Sequence, residues 1–348
     1  KVVGSKSNSQ AWFMCFEEPI PTGLTFNAFP GVIKKGRKKL HPISIQIVYF
    51  GQKTNGKILI DGKKVQDIDL DFGIQTINMD YPIVSKETQL RIGLESAKLN
   101  QSQVVTLNPP RHWRVNFVQH SHTDIGYTRP QTEILGEHLR FIDYALDYCD
   151  ATDDYPDEAK FRWTCEAAFA VDDYLRSRPA EQIERLRKRV NEGRIEITGM
   201  YFNFDEMPDE QSYAASIQAI GRIKEAGLPV KAAMQDDVNG IGWCFADFFP
   251  PIGVKYLNMG THGHRALIPF DKPTAFWWES PSGNRMLAFR AEHYMTGNTV
   301  FGIHSENFPY FEEKLMGYLQ SLGDKDYPYD LIHIQHSGYL TDNAPPST

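Results

Sequence analysis

The sequence is short of cysteine, of long apolar runs and of positive charge. Its four cysteines, Cys15, Cys149, Cys165 and Cys244, are widely spaced and form no C-x-x-C pair; they read as ordinary buried thiols and say little about redox compartment. No 18 uninterrupted apolar residues occur in a row, so nothing in the sequence reads as a transmembrane helix. The formal net charge of −7 excludes the electrostatic footprint of a nucleic-acid or anionic-membrane binder. The one basic cluster, KKGRKK at Lys34 to Lys39, carries a central glycine before a strand and reads as a solvated loop. The chain opens abruptly on KVVGSKSNSQ, with no signal peptide, and closes on DNAPPST, as expected for a piece of a longer protein. Compartment and oligomeric state stay open.

Apolar material is ample: 41% of the 348 residues are hydrophobic, enough for more than one packed core. Two regions follow different rules. Residues 1–110 hold short β-branched or aromatic runs, AWFMCF, ISIQIVYF, KILI, TINMDYPI, QLRIGL and QVVTL, with Asn55-Gly56 and Asp61-Gly62 as hairpin-turn signals. That pattern predicts a small all-β sandwich, left through the linker LNPPRHW.

Residues 111–348 alternate strand and helix. Seven short apolar runs begin at Arg114, Lys160, Arg194, Val230, Lys255, Arg285 and Leu331. Between them lie amphipathic stretches, with Ile134, Leu139, Ile142 and Leu146 at helical spacing, and Phe308, Phe311, Leu315, Leu319 and Leu322 likewise. Alternating β and α elements imply parallel strands with right-handed crossovers. The fold class expected is α/β, a seven-stranded parallel (β/α)7 barrel after the β-sandwich. In such a barrel the chemistry collects at the carboxyl ends of the strands.

The first of those ends reads His120-Ser-His122-Thr-Asp124-Ile-Gly126-Tyr127, and imidazole with carboxylate is a ligand set suited to a divalent metal. The fourth ends in Asp236-Asp237, of which strand alternation lets only one face the barrel axis. The other could cap the next helix. The seventh ends in a proline-stiffened loop with His336, Tyr339, Asp342 and Asn343. The third offers Asp205 and Glu206, with Asp209-Glu210 opening a helix; the fifth offers His262, His264 and Arg265; the sixth offers His293. Tyr127, Trp243, Trp277 and Trp278 stand near loops, where rings can stack on sugar faces. A metal beside carboxylates in a shared cup is equipment for hydrolysis of a polar substrate.

The second region resembles glycoside hydrolase family 38, the class II α-mannosidases. The family's H-x-H-x-D-x-G-W motif is similar to His120 through Tyr127, with Tyr127 in place of Trp. The resemblance implies that His122 and Asp124 are zinc ligands. The family's Q-x-D-P-F-G-H loop is similar to Gln235 through Ile241, without its Pro, Phe and His. This implies that Asp237 is both nucleophile and third zinc ligand, with Asp236 as rival. GMYFNFDEMPDEQSY is similar to the family's G-G-W-x-x-x-D-E stretch, and FWWESPSGNRML to its W-x-G-x-D-G-S segment, with Ser282 for Asp. Asp342 falls where the family has its general acid/base. A fourth ligand, a His of a later helical domain, would lie beyond residue 348, with His264 or His336 as local substitutes.

The expected activity is therefore retaining hydrolysis of α-mannosides or related α-linked sugars with Zn²⁺ as cofactor. Asp237 and Asp342 are the catalytic pair, and Tyr127, Asp205, His264 and Tyr339 the candidates for sugar contact. The mixed donor set suits Zn²⁺ better than Ca²⁺, which prefers more oxygens. Two other readings use the same residues. A zinc-dependent polysaccharide deacetylase would take the Asp pair with His262 and His264, leaving the H-x-H-x-D unused. An inactive glycan-binding protein would keep the cup with an altered Asp237 loop. A carbohydrate is the expected partner in all three.

Overall fold

The computed structural model describes residues 21–29, 31–126, 128–204, 208–238, 240–263 and 267–347. The chain divides into two compact units, residues 1–112 and 113–348. Among the described residues no helix is long and apolar enough to cross a membrane.

The first unit is all antiparallel. Its strands are β1 (Gly23–Ala28), β2 (Ile33–Lys35), β3 (Lys38–Tyr49), β4 (Thr54–Ile60), β5 (Lys63–Leu70), β6 (Gly73–Pro82), β7 (Thr88–Ser96) and β8 (Asn100–Leu107). One sheet joins β1, β2 and β6 to β3; the other runs β5-β4-β7-β8. Strict alternation on β3 and β7 turns Ile43, Ile45 and Ile47 and Leu90, Ile92 and Leu94 into one buried core, so the two sheets share it. Each such side chain contributes about 1.5–3 kcal/mol of burial. The expected run AWFMCF lies outside the described residues.

Of the two turn signals, Asp61-Gly62 makes the β4–β5 turn, with both residues at positive φ (50° and 77°) as a two-residue hairpin requires. Asn55-Gly56 is not a turn: it lies inside β4, paired with Asp69 and Ile68. Glycine suits the close approach of the flanking strand there, since a Cβ on Gly56 would stand 3.1 Å from the Glu95 carbonyl oxygen.

The second unit is mixed α/β. Its strands are β9 (Arg114–His120), β10 (Trp163–Cys165), β11 (Ile195–Ile197), β12 (Ala232–Asp236), β13 (Tyr256–Gly260), β14 (Thr274–Glu279), β15 (Arg285–Arg290) and β16 (Leu331–Ser337). The helices are α1 (Gln131–Ala151), α2 (Ala168–Ser177), α3 (Ala180–Asn191), α4 (Glu210–Glu225), the short α5 (Phe245–Phe248) and α6 (Thr296–Thr299), and α7 (Phe308–Asp324). One sheet runs β11-β10-β9-β16, wholly parallel, and the other β12-β13-β15-β14. A parallel bridge between Thr198 and Ala232 joins them.

Among the described residues the expected strands do not close into one seven-stranded barrel. All seven expected runs are strands, and their pairings are parallel. β14 is an eighth, antiparallel strand that covers the outer edge of β15 from Arg285 to Arg290, the edge needed to meet β16. Among the described residues no pairing links β15 to β16. The aromatic run of β14 has strand propensity of its own, and a turn at residues 280–284, with Gly283 at φ 83°, folds it back on β15.

The helices cover the strands as their spacing dictates. α1 buries Ile134, His138, Phe141, Ile142, Ala145, Leu146 and Cys149, a stripe at three- and four-residue intervals. Buried Arg194 ties its carboxyl end down, donating to the Cys149 carbonyl (3.0 Å) and the Thr152 hydroxyl (2.7 Å). α4 starts at Asp209, whose carboxylate accepts from the Ser212 amide at 2.8 Å. α7 departs from expectation at its start: Leu319 and Leu322 are buried, while Phe308 is exposed.

Candidate active site

The carboxyl ends of β9, β10, β12 and β16 converge. β9 delivers His120 and continues into an irregular segment that carries His122 and Asp124. Both histidines are buried. β10 is followed directly by Glu166, which is fully buried and faces both rings: Oε2 lies 2.6 Å from His120 Nδ1, and Oε1 lies 2.8 Å from His122 Nδ1. The Thr123 amide, at 3.3 Å, and the Asn203 side-chain amide also donate to Oε1.

β12 ends in the two adjacent acids, and both are used. Asp236 takes its place by strand alternation. Its carboxylate accepts from Gln335 Nε2 (2.9 and 3.1 Å) and from the Gly260 amide (3.0 Å), and its Oδ2 lies 3.8 Å from His120 Nδ1. A Cβ on Gly260 would stand 2.3 Å from Asp236 Oδ1, so the neighbouring strand must carry glycine there. Asp237 departs from alternation because its backbone is left-handed, at φ 62°. The turn brings its carboxylate round to His122 Nε2, with Oδ2 at 3.9 Å. The expectation that only one of the pair could face inward is thus corrected, and neither acid caps the next helix, since the N-cap of α5 is Cys244.

His122 Nε2 also lies 3.3 Å from Asp124 Oδ1. One atom from each of His122, Asp124 and Asp237 falls within 4.8 Å of the others. An imidazole nitrogen and two carboxylate oxygens brought together from two loops fit a divalent cation, Zn²⁺ included. A second group, His120, Glu166 and Asp236, meets the same distance criterion with each side chain fully buried, and Asp236 borders the same cavity as the first group.

The loop after β16 closes the site. The His122 amide donates to the Asp342 carbonyl at 2.8 Å, Ser121 Oγ to the Ala344 carbonyl at 2.8 Å, and Asn343 Nδ2 to Asp124 Oδ2 at 3.0 Å. The Asp342 carboxylate accepts from the Tyr294 hydroxyl at 3.0 Å and from the Asn343 amide at 3.0 Å. The Tyr294 ring lies 4.5 Å, centroid to centroid, from that of His122.

Charge in this cluster is set by burial against mutual pairing. Burial opposes a charge on His122, but Glu166 and Asp124 outweigh it and hold the ring well above the usual imidazole value. His120 is raised in the same way, against burial, by Glu166 and Asp236. Burial opposes charge on Glu166 as well, but the two rings hold it below the usual carboxylate range. Burial, and then Glu166, push Asp236 up.

A cavity of about 510 Å³ opens on this site, lined by His122, Asp124, Asp237, Phe202 and Phe204 among others. The structure brings together His122, Asp124 and Asp237, and ties Asp342 to the same loops. Tyr127, Asp205 and His264 lie outside the described residues. Tyr339 is not at this cavity. It lines a separate one of about 560 Å³ with Phe117, Phe308, Phe311 and His336, because the left-handed Gly338 (φ 60°) redirects the chain after β16. His336 is therefore not with the other donors. Trp243 and Trp278 are bound to each other's segment instead, Trp278 Nε1 donating to the Trp243 carbonyl at 3.1 Å, and Trp277 projects from β14, 62% exposed. Phe202 and Phe204 supply the aromatic wall. They, Glu166, Asn203 and Tyr294 are the site residues the sequence reading missed; Phe202 and Phe204, at alternate positions in MYFNF beside a strand end, were the available signal.

A buried imidazole facing carboxylates, at the carboxyl ends of parallel strands and beside an open cavity, defines a site suited to metal-assisted chemistry. The Glycosyl hydrolases family 38 N-terminal domain matches residues 112–341, and the chain belongs to this family. Among solved structures, it is similar to a protein of glycosyl hydrolase family 38 from Enterococcus faecalis, at 17% identity over 67% of this chain and 24% of that one, with a TM-score of 0.46. It is also similar to an alpha-mannosidase from Enterococcus faecalis V583, at 17% identity over 66% of this chain and 25% of that one, with a TM-score of 0.48. The chain thus spans about a quarter of the length of these two proteins. No curated protein matches its sequence.

Proposed function

We propose that this chain carries the bond-cleaving centre of a metal-dependent, retaining glycoside hydrolase acting on α-mannosides or related α-linked sugars. The observation that carries the reading is the convergence of one ligand atom each from His122, Asp124 and Asp237, all within 4.8 Å of one another, in the lining of an open cavity. Membership of a glycosyl hydrolase family supplies the reaction class, and the resemblance to class II α-mannosidases supplies the sugar.

His122, Asp124 and Asp237 would hold the metal. When bound, Zn²⁺ supplies Lewis acidity toward adjacent sugar hydroxyls and charge that keeps Asp237 ionised. Asp237 attacks the anomeric carbon to form a glycosyl-enzyme ester as the leaving oxygen departs. Asp342 gives that oxygen a proton and then takes one from the water that hydrolyses the ester. Tyr294 and the Asn343 amide orient Asp342 for both transfers. Phe202 and Phe204 offer apolar faces to the sugar ring and reduce water in the cavity. Asp236 borders the same cavity but is fully buried and held by Gln335 and the Gly260 amide, and the family resemblance favours Asp237 as the nucleophile.

The test is metal analysis of the full-length protein and of His122→Ala, with release of nitrophenol from a nitrophenyl α-mannoside measured on both. Near-stoichiometric zinc and turnover in the parent, both lost in the variant, are expected. A parent that carries no metal and still turns over would overturn the metal-dependent reading; release of acetate from an acetylated sugar, with no reducing end formed, would replace hydrolysis by deacetylation.

A further inference from the structure

We propose that Glu166 positions His122 for metal binding, acting through Nδ1 to fix which ring nitrogen faces the cavity and at what angle. The inference rests on the reading of His122, Asp124 and Asp237 as a metal site. It assigns Glu166 a role that follows from its contacts and from none of the sequence motifs.

The geometry runs as a chain of contacts from the protein interior to the cup. The Tyr294 carbonyl oxygen lies 2.8 Å from His120 Nε2, and His120 Nδ1 lies 2.6 Å from Glu166 Oε2. A carbonyl can only accept, so His120 Nε2 carries a proton. With its other nitrogen against Glu166, His120 has no lone pair to offer a metal: it is an anchor for Glu166. Glu166 Oε1 then accepts the Nδ1 proton of His122 at 2.8 Å. A ring that donates at Nδ1 to a carboxylate presents its Nε2 lone pair, in a fixed rotation, as a metal-binding atom.

That lone pair points at the oxygens of Asp124 (3.3 Å) and Asp237 (3.9 Å). Three electron-rich atoms facing one another repel unless a cation or a proton lies between them. Glu166 thus sets an arrangement that pays off only when something positive occupies the cup. Oε1 also accepts from the Thr123 amide at 3.3 Å and from the Asn203 side chain, which with His120 on Oε2 fixes the carboxylate's orientation. The carboxylate is fully buried and beyond contact with substrate, which makes this a positioning role.

The experiment is competition between the full-length protein and a chelator for Zn²⁺, run on the parent, Glu166→Gln and Glu166→Ala, with the unfolding midpoint of each metal-free form measured alongside. The Co²⁺-loaded absorption spectrum is the second readout. The expected result is roughly ten- to hundred-fold weaker Zn²⁺ binding in Glu166→Ala and a smaller loss in Glu166→Gln, whose amide oxygen still accepts the Nδ1 proton but carries no charge. The Co²⁺ spectrum should shift in both. A role confined to packing would lower the midpoint and leave the affinity of the folded protein unchanged. Folded variants that bind Zn²⁺ within about twofold of the parent overturn the proposal and leave the metal site standing. A parent that binds no Zn²⁺ overturns both. Should Glu166→Ala fail to fold, the near-isosteric Glu166→Gln decides alone.

Discussion

His120 and His122 stand two residues apart on one segment, and each belongs to a group of one imidazole and two carboxylates. The inner group, His120 with Glu166 and Asp236, is fully buried, and His120 finds a protein partner for each of its ring nitrogens. The outer group, His122 with Asp124 and Asp237, opens on a cavity; the Asp237 side chain is 23% exposed. The same residue types at nearly the same place thus give a neutralised internal network in one case and a cation-ready cup in the other. What separates them is exposure: the inner side chains are fully buried, whereas those of Asp124 and Asp237 are 10% and 23% exposed. Glu166 belongs to both, one oxygen to each ring, and so couples the cup to the interior.

The sharpest way to break the comparison is at the two adjacent acids. Asp237→Asn is expected to drop α-mannoside turnover below detection with the fold retained, because asparagine tolerates the left-handed backbone that Asp237 adopts. Asp236→Asn is expected to do the reverse: measurable turnover, with stability changed by about 1–3 kcal/mol through the rearranged buried hydrogen bonds. Steady-state assays and denaturant titration of the pair check this, and equal turnover in the two variants would end the assignment of separate roles. Next in size is Asp342→Asn. Loss of a general acid costs about 10²–10⁴-fold, and it should fall mostly on substrates with poor leaving groups. A nitrophenyl mannoside should therefore suffer less than an alkyl mannoside. A uniform loss across leaving groups would remove Asp342 as the proton donor.

His120, His122, Asp124 and the Asp236-Asp237 pair were legible at strand ends, their grouping came from the family resemblance, and Glu166 was not legible, for a physical reason. His122, Asp124 and Asp237 sit where strands break into loops, and the loss of apolar alternation marks such places. Glu166 lies at the end of the apolar run that gives β10, and its ring partners are 44 and 46 residues away. Only the parallel pairing of β10 with β9, Thr164 opposite His120, brings them together. The Asp236-Asp237 pair misled because alternation holds only while the backbone stays extended, and Asp237 leaves that region. The seven parallel strands could be read from β-branched runs between amphipathic stretches. β14 could not, because an aromatic run beside Pro-Ser-Gly reads equally as loop, and with it went the expectation of a closed barrel. Asn55-Gly56 failed for the opposite cause: glycine there serves close approach of neighbouring strands, a need no local pattern reveals.

The smallest effect expected is on how stability depends on pH, and it separates the two groups again. Burial and then Glu166 raise the Asp236 carboxyl above its ordinary value near 4. The folded protein therefore keeps a proton that the unfolded chain has already released. The stability this group contributes is fully present below about pH 4 and is lost as pH rises through the raised folded value. Glu166 behaves in the opposite sense. Pairing with the two rings holds it below the usual range against burial, so its contribution is present above about pH 4 and is lost on acidification. Denaturant titrations of the metal-free protein across pH 4 to 8 should show Asp236→Asn declining less steeply toward high pH than the parent. If Asp236→Asn left the slope unchanged, Asp236 would have to be ionised throughout, and the inner group would then be a charged cluster with as much claim on a cation as the outer one.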